Sequence, residues 1–288
     1  MSRLRAVGLG LLGLLVLAAV WELYKTFGPA NGVELGGRAV LPRTNDRAMP
    51  HLWDMFSRLN GPAVGRSGPP LWQAVGAAAL FTLRIAAVGW LVGVLVGAAL
   101  ALLMQRLRLA EAAVLPWVVL SQTVPLIAIA PLVRRWGSQL RIGSFAWDSQ
   151  DSVAVIAAYL AFFPVAVGLL RGLKSPDATH LDLMSTYGTG WGGTLLRLRL
   201  PASVPYLLPA LRLAAASAVI GTVVAEVSIG LRGGIGRLVI EYAQAAGGDP
   251  AKPWAPILGA ILVGLVAAGV VALIGAGLRP YRRTEATG

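Results

Sequence analysis

The chain has 288 residues, of which 56% are hydrophobic and only 13% charged, with a mean hydropathy of +0.70. A water-soluble domain carries roughly 25% charged residues, so this composition excludes a protein whose whole surface faces water. The net charge of +12 is spread over the loops with no dense basic run, which fits helix ends meeting anionic headgroups rather than nucleic acid, and the lack of cysteine excludes disulfides and thiolate metal sites.

A membrane-spanning helix needs about 20 mostly apolar residues. The first candidate is 6–24, behind Arg3 and Arg5; it ends in Trp21, Glu22 and Lys25 rather than at a small-residue cleavage site, so it reads as a retained helix and not a signal peptide. Residues 26–70 are polar and rich in Gly and Pro, with no long apolar run. The apolar stretch 71–104 would be roughly 50 Å long as a helix, too much for one ~30 Å crossing. Its front third, 71–80, is therefore expected at the interface and the span at 85–104. The third span, 115–133, contains Pro116, Pro125, Pro131 and the polar triplet Ser121-Gln122-Thr123. Prolines free backbone carbonyls that lipid cannot satisfy but a water-filled path can, which makes this span a pathway candidate. Spans four, five and six are expected at 153–170, 202–227 and 255–278.

Six spans put both termini on one side. Arg3 and Arg5 before the first, and Arg279, Arg282 and Arg283 after the last, argue that this side is cytoplasmic. Counted over all segments, termini included, the basic residues are divided almost evenly between the two sides, with slightly more outside, so the full count does not settle orientation. No internal repeat is evident, which weighs against a secondary transporter. His51 and His180 fall in different loops on opposite sides and form neither a metal site nor a catalytic dyad. Trp21, Trp72, Trp117 and Trp254 sit near span ends, where aromatic belts belong. No Walker A, HExxH or GxSxG motif is present, so no cofactor or enzyme activity is expected and any energy must come from a partner.

Three charges, Arg84, Arg212 and Glu226, fall inside or near the ends of predicted spans, where charge is costly and points to function. Arg212 lies about 16 Å beyond Pro201 along a helix and Glu226 about 21 Å further on. Arg212 either attracts an anionic substrate or pins helices by bonding free carbonyls; Glu226 contacts substrate, a gate or headgroup water. With Thr222 between them, these residues join Ser121, Gln122 and Thr123 as the expected pathway set.

The segment between spans four and five carries the sharpest signal. It reads Asp182-Leu183-Met184, three residues, Gly188, nine residues, then Leu198-Arg199-Leu200-Pro201. Asp177 after Pro176 suits a helix start, Gly188 a turn, and Pro201 the first turn of the next helix. This pattern resembles the "EAA" loop of the inner-membrane permeases of binding-protein-dependent ABC importers, with Asp for Glu and Leu183-Met184 for the two alanines. The resemblance covers most of 71–278 and is closest to the nitrate/sulfonate/taurine branch; its other stretches are 115–131, 201–226 and Gly233-Gly234-Ile235-Gly236 followed by Ile240.

The resemblance implies an all-α polytopic protein of about six transmembrane helices with type I importer permease architecture. Residues 1–70 would hold the first helix and an extracytoplasmic loop, 71–280 the permease domain with a cytoplasmic coupling loop at 172–201, and 281–288 a cytoplasmic tail. Coupling to a separate ATPase would run through Asp182, Leu183, Met184, Tyr187, Gly188, Leu198, Leu200 and Pro201. The implied partners are two ATPase copies, an extracytoplasmic binding protein, a second permease copy or paralogue, and membrane lipids, in the bacterial inner membrane. The binding protein would dock on outer loops 26–70, 134–151 and 230–252, the second of which is longer than the family usually has. The solute is small, with an anion one option. A secondary transporter, a non-transporting scaffold and a membrane-embedded hydrolase are the alternatives, and all three leave the loop without a purpose.

Overall fold

The computed structural model describes residues 3–65 and 68–278. Arg66 and the terminal group 279–288, with its three arginines and the expected tail 281–288, lie outside the described residues. Two compact units are formed, one from residues 1–77 with 238–259, the other from 78–237 with 260–288.

In the first unit, α1 (Arg3–Phe27) is an isolated apolar rod whose leucines 9, 11, 12, 14, 15 and 17 are all more than half exposed, as a helix solvated by lipid requires. Its last turns are tied to the following segment. The side chain of Lys25 is buried and donates to the Thr44 carbonyl and to Asp46 Oδ1, both at 2.6 Å. Glu22 faces His51 Nδ1 at 2.8 Å and accepts from Leu52 N, and Trp21 Nε1 donates to the Pro50 carbonyl. The stretch 26–70 contains an antiparallel hairpin, β1 (Val33–Leu35) and β2 (Arg38–Leu41), and a short helix α2 (Leu52–Arg58). Arg58 pairs with Asp249 at 2.6 Å, and Lys252 Nζ donates to the Ala63 carbonyl and lies over Tyr242.

Helix α3 (Leu71–Arg106) continues from the first unit into the second as 36 unbroken residues. No proline lies within it, so any part of it at the membrane interface belongs to the same helix as the span. The expected third span is two helices, α4 (Arg108–Ser121) and α5 (Leu126–Gly137), bent by 104° at the break. Of the three prolines only Pro125 breaks the chain. It sits outside α5 as its N-cap, in extended conformation, after a tightened turn over 119–124. Pro116 and Pro131 lie inside their helices.

A two-residue hairpin, β3 (Arg141–Ile142) with β4 (Phe145–Ala146), then leads to α6 (Ser149–Leu173). Asp148 starts α6 by a capping box, its Oδ1 accepting from Gln150 N and Asp151 N while Asp151 returns a bond to Asp148 N. After α7 (Ala178–Thr186) and α8 (Trp191–Thr194), a five-residue π-helical stretch, Leu195–Arg199, runs into α9 (Leu200–Ile229). Pro201 stands in the first turn of α9, as expected, and the helical path from α8 through the π-helical stretch into α9 is continuous over 39 residues. The wide turn, with Leu200 N bonded to Leu195 O, precedes the ring that could not donate in regular α geometry. Helices α10 (Ile235–Gln244) and α11 (Trp254–Gly277) complete the chain.

Among the described residues five helices are long and apolar enough to cross a membrane, six with the bent pair counted as one. The core of the second unit is α6 packed on α9, with α3 against α6. Ala157, Ala161 and Val165 meet Leu211, Ala214, Ala215 and Ala218. The α3 face that touches α6 carries glycines at four-residue spacing. A Cβ at Gly93 would lie 2.6 Å from Ala161 Cβ, and one at Gly97 2.5 Å from the Phe162 carbonyl. Small residues let these backbones touch, which is how helices associate where apolar burial gives no net drive.

Candidate functional site

Two regions of the second unit bring polar and unpartnered groups together, the connection between α6 and α9 and the C-terminal end of α9.

Helix α7 follows Pro176 and Asp177, and none of its residues is buried. It stops at Tyr187 in a Schellman motif: Thr189 N donates to Met184 O at 3.0 Å, Gly188 N to Ser185 O at 2.9 Å, and Gly188 has φ +67°. Only a residue without Cβ takes that conformation without strain. Leu183 and Tyr187 are 51% and 77% exposed, and Asp182 is exposed too.

The base of the connection is anchored. Arg199 Nη1 donates to Leu173 O at 2.8 Å, capping the end of α6, and Lys174 pairs with Glu111 of α4. Trp191 Nε1 donates to Gln105 Oε1 at 3.1 Å, under Arg106 at 4.7 Å. Leu195 is buried with Ala101, Met104, Leu169 and Leu173, and Leu200 packs on the same cluster. Leu198 and Pro201 are half-buried. The loop thus has a free tip and a base locked to α3, α4 and α6.

The expected pathway residues divide. Ser121 and Gln122 are half-buried and Thr123 exposed at the α4–α5 break, with the Ser121 carbonyl accepting from Tyr159 Oη and Gln122 Nε2 donating to Ser121 Oγ. An open, largely apolar groove of about 890 Å³ runs along α4 from Glu111 and Lys174 to Leu120. Arg212 is exposed in mid-helix, and its side chain has no partner, carbonyl or otherwise, among the described residues. Pro205, Pro209, Leu213, Ala216 and Ile220 share its exposed face.

Thr222 and Glu226 do not join that face; both have 0% exposure. Thr222 Oγ1 bonds back to Ala218 O. Glu226 accepts from Thr82 Oγ1 at 2.8 Å and from Gly236 N at 2.8 Å, while Thr82 Oγ1 accepts from Ile235 N at 2.9 Å. Helix α10 begins after Gly233-Gly234, with no local capping side chain. Its first two N–H groups are satisfied instead by Thr82 of α3 and Glu226 of α9, the task an N-cap residue normally performs. The close approach needs Gly234, where any Cβ would collide with the Glu226 carboxyl, and Gly236, where it would lie 2.6 Å from Val223 O. Sequence reasoning missed Thr82 and this role of Gly234 and Gly236; the paired glycines before Ile235 were the available signal.

Comparison with known proteins decides the family. Residues 93–280 match the binding-protein-dependent transport system inner membrane component family. The chain belongs to this family. A formylaminopyrimidine transport permease, ThiX, of Halalkalibacterium halodurans is 32% identical over 208 residues, covering 71% of this chain and 77% of that one. A Bacillus subtilis protein named as an aliphatic sulfonates transport permease, SsuC, is 29% identical over 159 residues, 55% of this chain and 54% of that one. The crystal structure of an amino acid ABC transporter with histidines shares the fold, with a TM-score of 0.56 at 15% identity over 71% of this chain and 94% of that one.

The chain is thus a multi-pass inner-membrane permease subunit of a binding-protein-dependent ABC importer, working with an ATPase and a substrate-binding protein. It is not itself an enzyme; ATP hydrolysis belongs to the partner subunit.

Proposed function

We propose that α7 is the coupling helix of this permease and that Asp182, Leu183, Met184, Tyr187 and Gly188 form its contact with the ATPase. The observation that carries this reading is a nine-residue helix with nothing buried, ended by a left-handed glycine and presenting Leu183 and Tyr187 outward. Leu198, Leu200 and Pro201 lie in the stiff continuation into α9, so displacement of α7 is passed to a long helix rather than absorbed in a flexible linker. Two ATPase copies closing on ATP would move two such helices, in a pair of permease copies or paralogues, and switch the spans between inward- and outward-facing states.

In this reading residues 172–201 and both termini are cytoplasmic, and loops 26–70, 134–151 and 230–252 meet the binding protein outside. The domain division is that of an N-terminal helix with an outer loop, 1–70, followed by the permease domain, 71–280, and a short tail. The pathway runs along α4 and the exposed face of α9, past Ser121, Gln122, Thr123 and Arg212. A charge about 18 Å into a helix cannot face hydrocarbon cheaply. Pro205 and Pro209 also leave the carbonyls of Pro201 and Pro205 without their usual N–H donors on the same helix, and such groups are tolerated at membrane depth where a second subunit or water covers them. The names of the relatives place formylaminopyrimidine and aliphatic sulfonates among the solutes of similar permeases, so the solute here is small and polar.

Replacing Gly188 by Val tests the coupling role. The variant should remain inserted and folded but lose solute uptake in proteoliposomes with the partner ATPase, whose hydrolysis no longer responds to loaded binding protein. Unchanged uptake would overturn the assignment.

A further inference from the structure

The last turn of α5 places Arg134 and Arg135 side by side at a cleft of about 400 Å³, lined otherwise by Pro131, Ser138, Ser228 and Ile229. Arg134 spends one N–H on the Ile229 carbonyl, 2.9 Å away at the end of α9, and stays exposed with the rest of its guanidinium free to donate. Arg135 is exposed and its side chain has no partner among the described residues. No carboxylate lines the cleft. The two serine hydroxyls already donate, Ser138 Oγ to Arg135 O at 2.9 Å and Ser228 Oγ to Val224 O at 2.7 Å, so toward the cleft they offer lone pairs.

We propose that this cleft is a binding site for a small oxyanion, a sulfonate, phosphonate or carboxylate head seated on Arg134 and Arg135, on a body whose own N–H or O–H meets Ser138 or Ser228. Guanidinium groups present paired donors that match oxyanion geometry, and two of them without a counter-charge leave a positive field for a ligand to fill. The volume is that of a small-molecule site. The cleft lies on the segment taken as the outer loop 134–151 and so, resting on the permease reading, would receive the solute as it leaves the binding protein. It narrows the substrate class to anions that carry a hydrogen-bond donor. The bond from Arg134 to Ile229 O also ties the site to the end of α9, the helix that continues from the coupling loop.

The natural absence of cysteine allows a direct test. Ser138→Cys is introduced in the full transporter, reconstituted in nanodiscs of phosphatidylcholine. Its modification rates are measured with the anionic sulfonatoethyl and the cationic trimethylammonioethyl methanethiosulfonates; Ser228→Cys reports from the opposite wall. One guanidinium about 6 Å away in water changes each rate about threefold in opposite directions, so Arg135→Gln should lower the anion-to-cation ratio about tenfold. Millimolar inorganic sulfate should slow the anionic reagent saturably, beyond chloride at equal ionic strength. A ratio unmoved by Arg135→Gln, or sulfate acting no better than chloride, would overturn the proposal. So would protection that requires anionic phospholipid in the nanodisc and is not reproduced by sulfate, since the source of the anion would then be a headgroup. These outcomes are independent of the coupling role of α7, which stands or falls with the Gly188 variant; a coupled importer with an inert cleft removes only the anion site.

Discussion

Glu226→Ala and Glu226→Gln should separate sharply, although both remove the carboxyl. The alanine variant leaves the Thr82 hydroxyl and Gly236 N–H without an acceptor in a site with no solvent exposure. Each buried donor left unsatisfied costs about 1–3 kcal/mol, and Thr82 can recover part by turning toward a backbone carbonyl of its own helix, so about 2–4 kcal/mol is expected. The glutamine variant keeps the volume. Its Oε1 takes the Gly236 N–H and its Nε2 donates to Thr82 Oγ1, whose hydroxyl rotates away, leaving a loss near 1 kcal/mol. Hydrogen exchange of residues 234–237 in nanodiscs reads the local effect, because these amides are released when the start of α10 opens. About 2 kcal/mol corresponds to roughly 30-fold faster exchange. Exchange in Glu226→Ala equal to wild type would refute the capping role. An equal loss in both variants would refute the argument from acceptor geometry and shift the weight to charge.

Three further outcomes are expected. Gly93→Leu should lower thermal stability and yield by several kcal/mol equivalents, since even modest overpacking costs about 1–3 kcal/mol and here a bare Cβ already falls 2.6 Å from Ala161 Cβ; a variant as stable as wild type would place the α3–α6 contact elsewhere. Arg199→Met should loosen the end of α6 by uncapping Leu173 O, seen as faster exchange at Lys174 and Ser175 with the α6 interior unchanged. The Lys25–Asp46 contact should be acid-labile. The hydrogen bond from Lys25 holds the Asp46 carboxyl below its ordinary value of 3.8, so its contribution is complete above that value and disappears as pH falls through the lower folded one. Asp46→Asn should therefore speed exchange at Thr44 at pH 7, by a margin that shrinks as the pH falls below 3.8.

What the sequence made legible was local. The spacing around Gly188 needs only a helix, a left-handed stop and a restart, and that is what the chain forms. The continuity of 71–106 was also legible, since no proline lies within it. The prolines of the third span could be counted but not ranked: Pro125 follows a tightened turn over 119–124 and stands at the break, whereas Pro116 and Pro131 lie inside their helices. The glycines at 89, 93 and 97 carried a four-residue signature of helix contact that went unread. Glu226 was legible as unusual and misplaced in role, because its partner Thr82 is 144 residues away and only the packing of α3, α9 and α10 brings them together. Likewise the side of α9 that Arg212 faces is fixed by which face packs on α6.

The central claim, that α7 docks on an ATPase, is tested most directly by purifying the permease from its native membrane in mild detergent and weighing what stays bound. Wild type should retain a P-loop ATPase in stoichiometric amount, and Tyr187→Glu, placed on a side chain that is 77% exposed and has no partner among the described residues, should lose it while remaining folded. An ATPase retained equally by both, or a folded wild-type chain that comes away alone under conditions that preserve such complexes, would contradict the account.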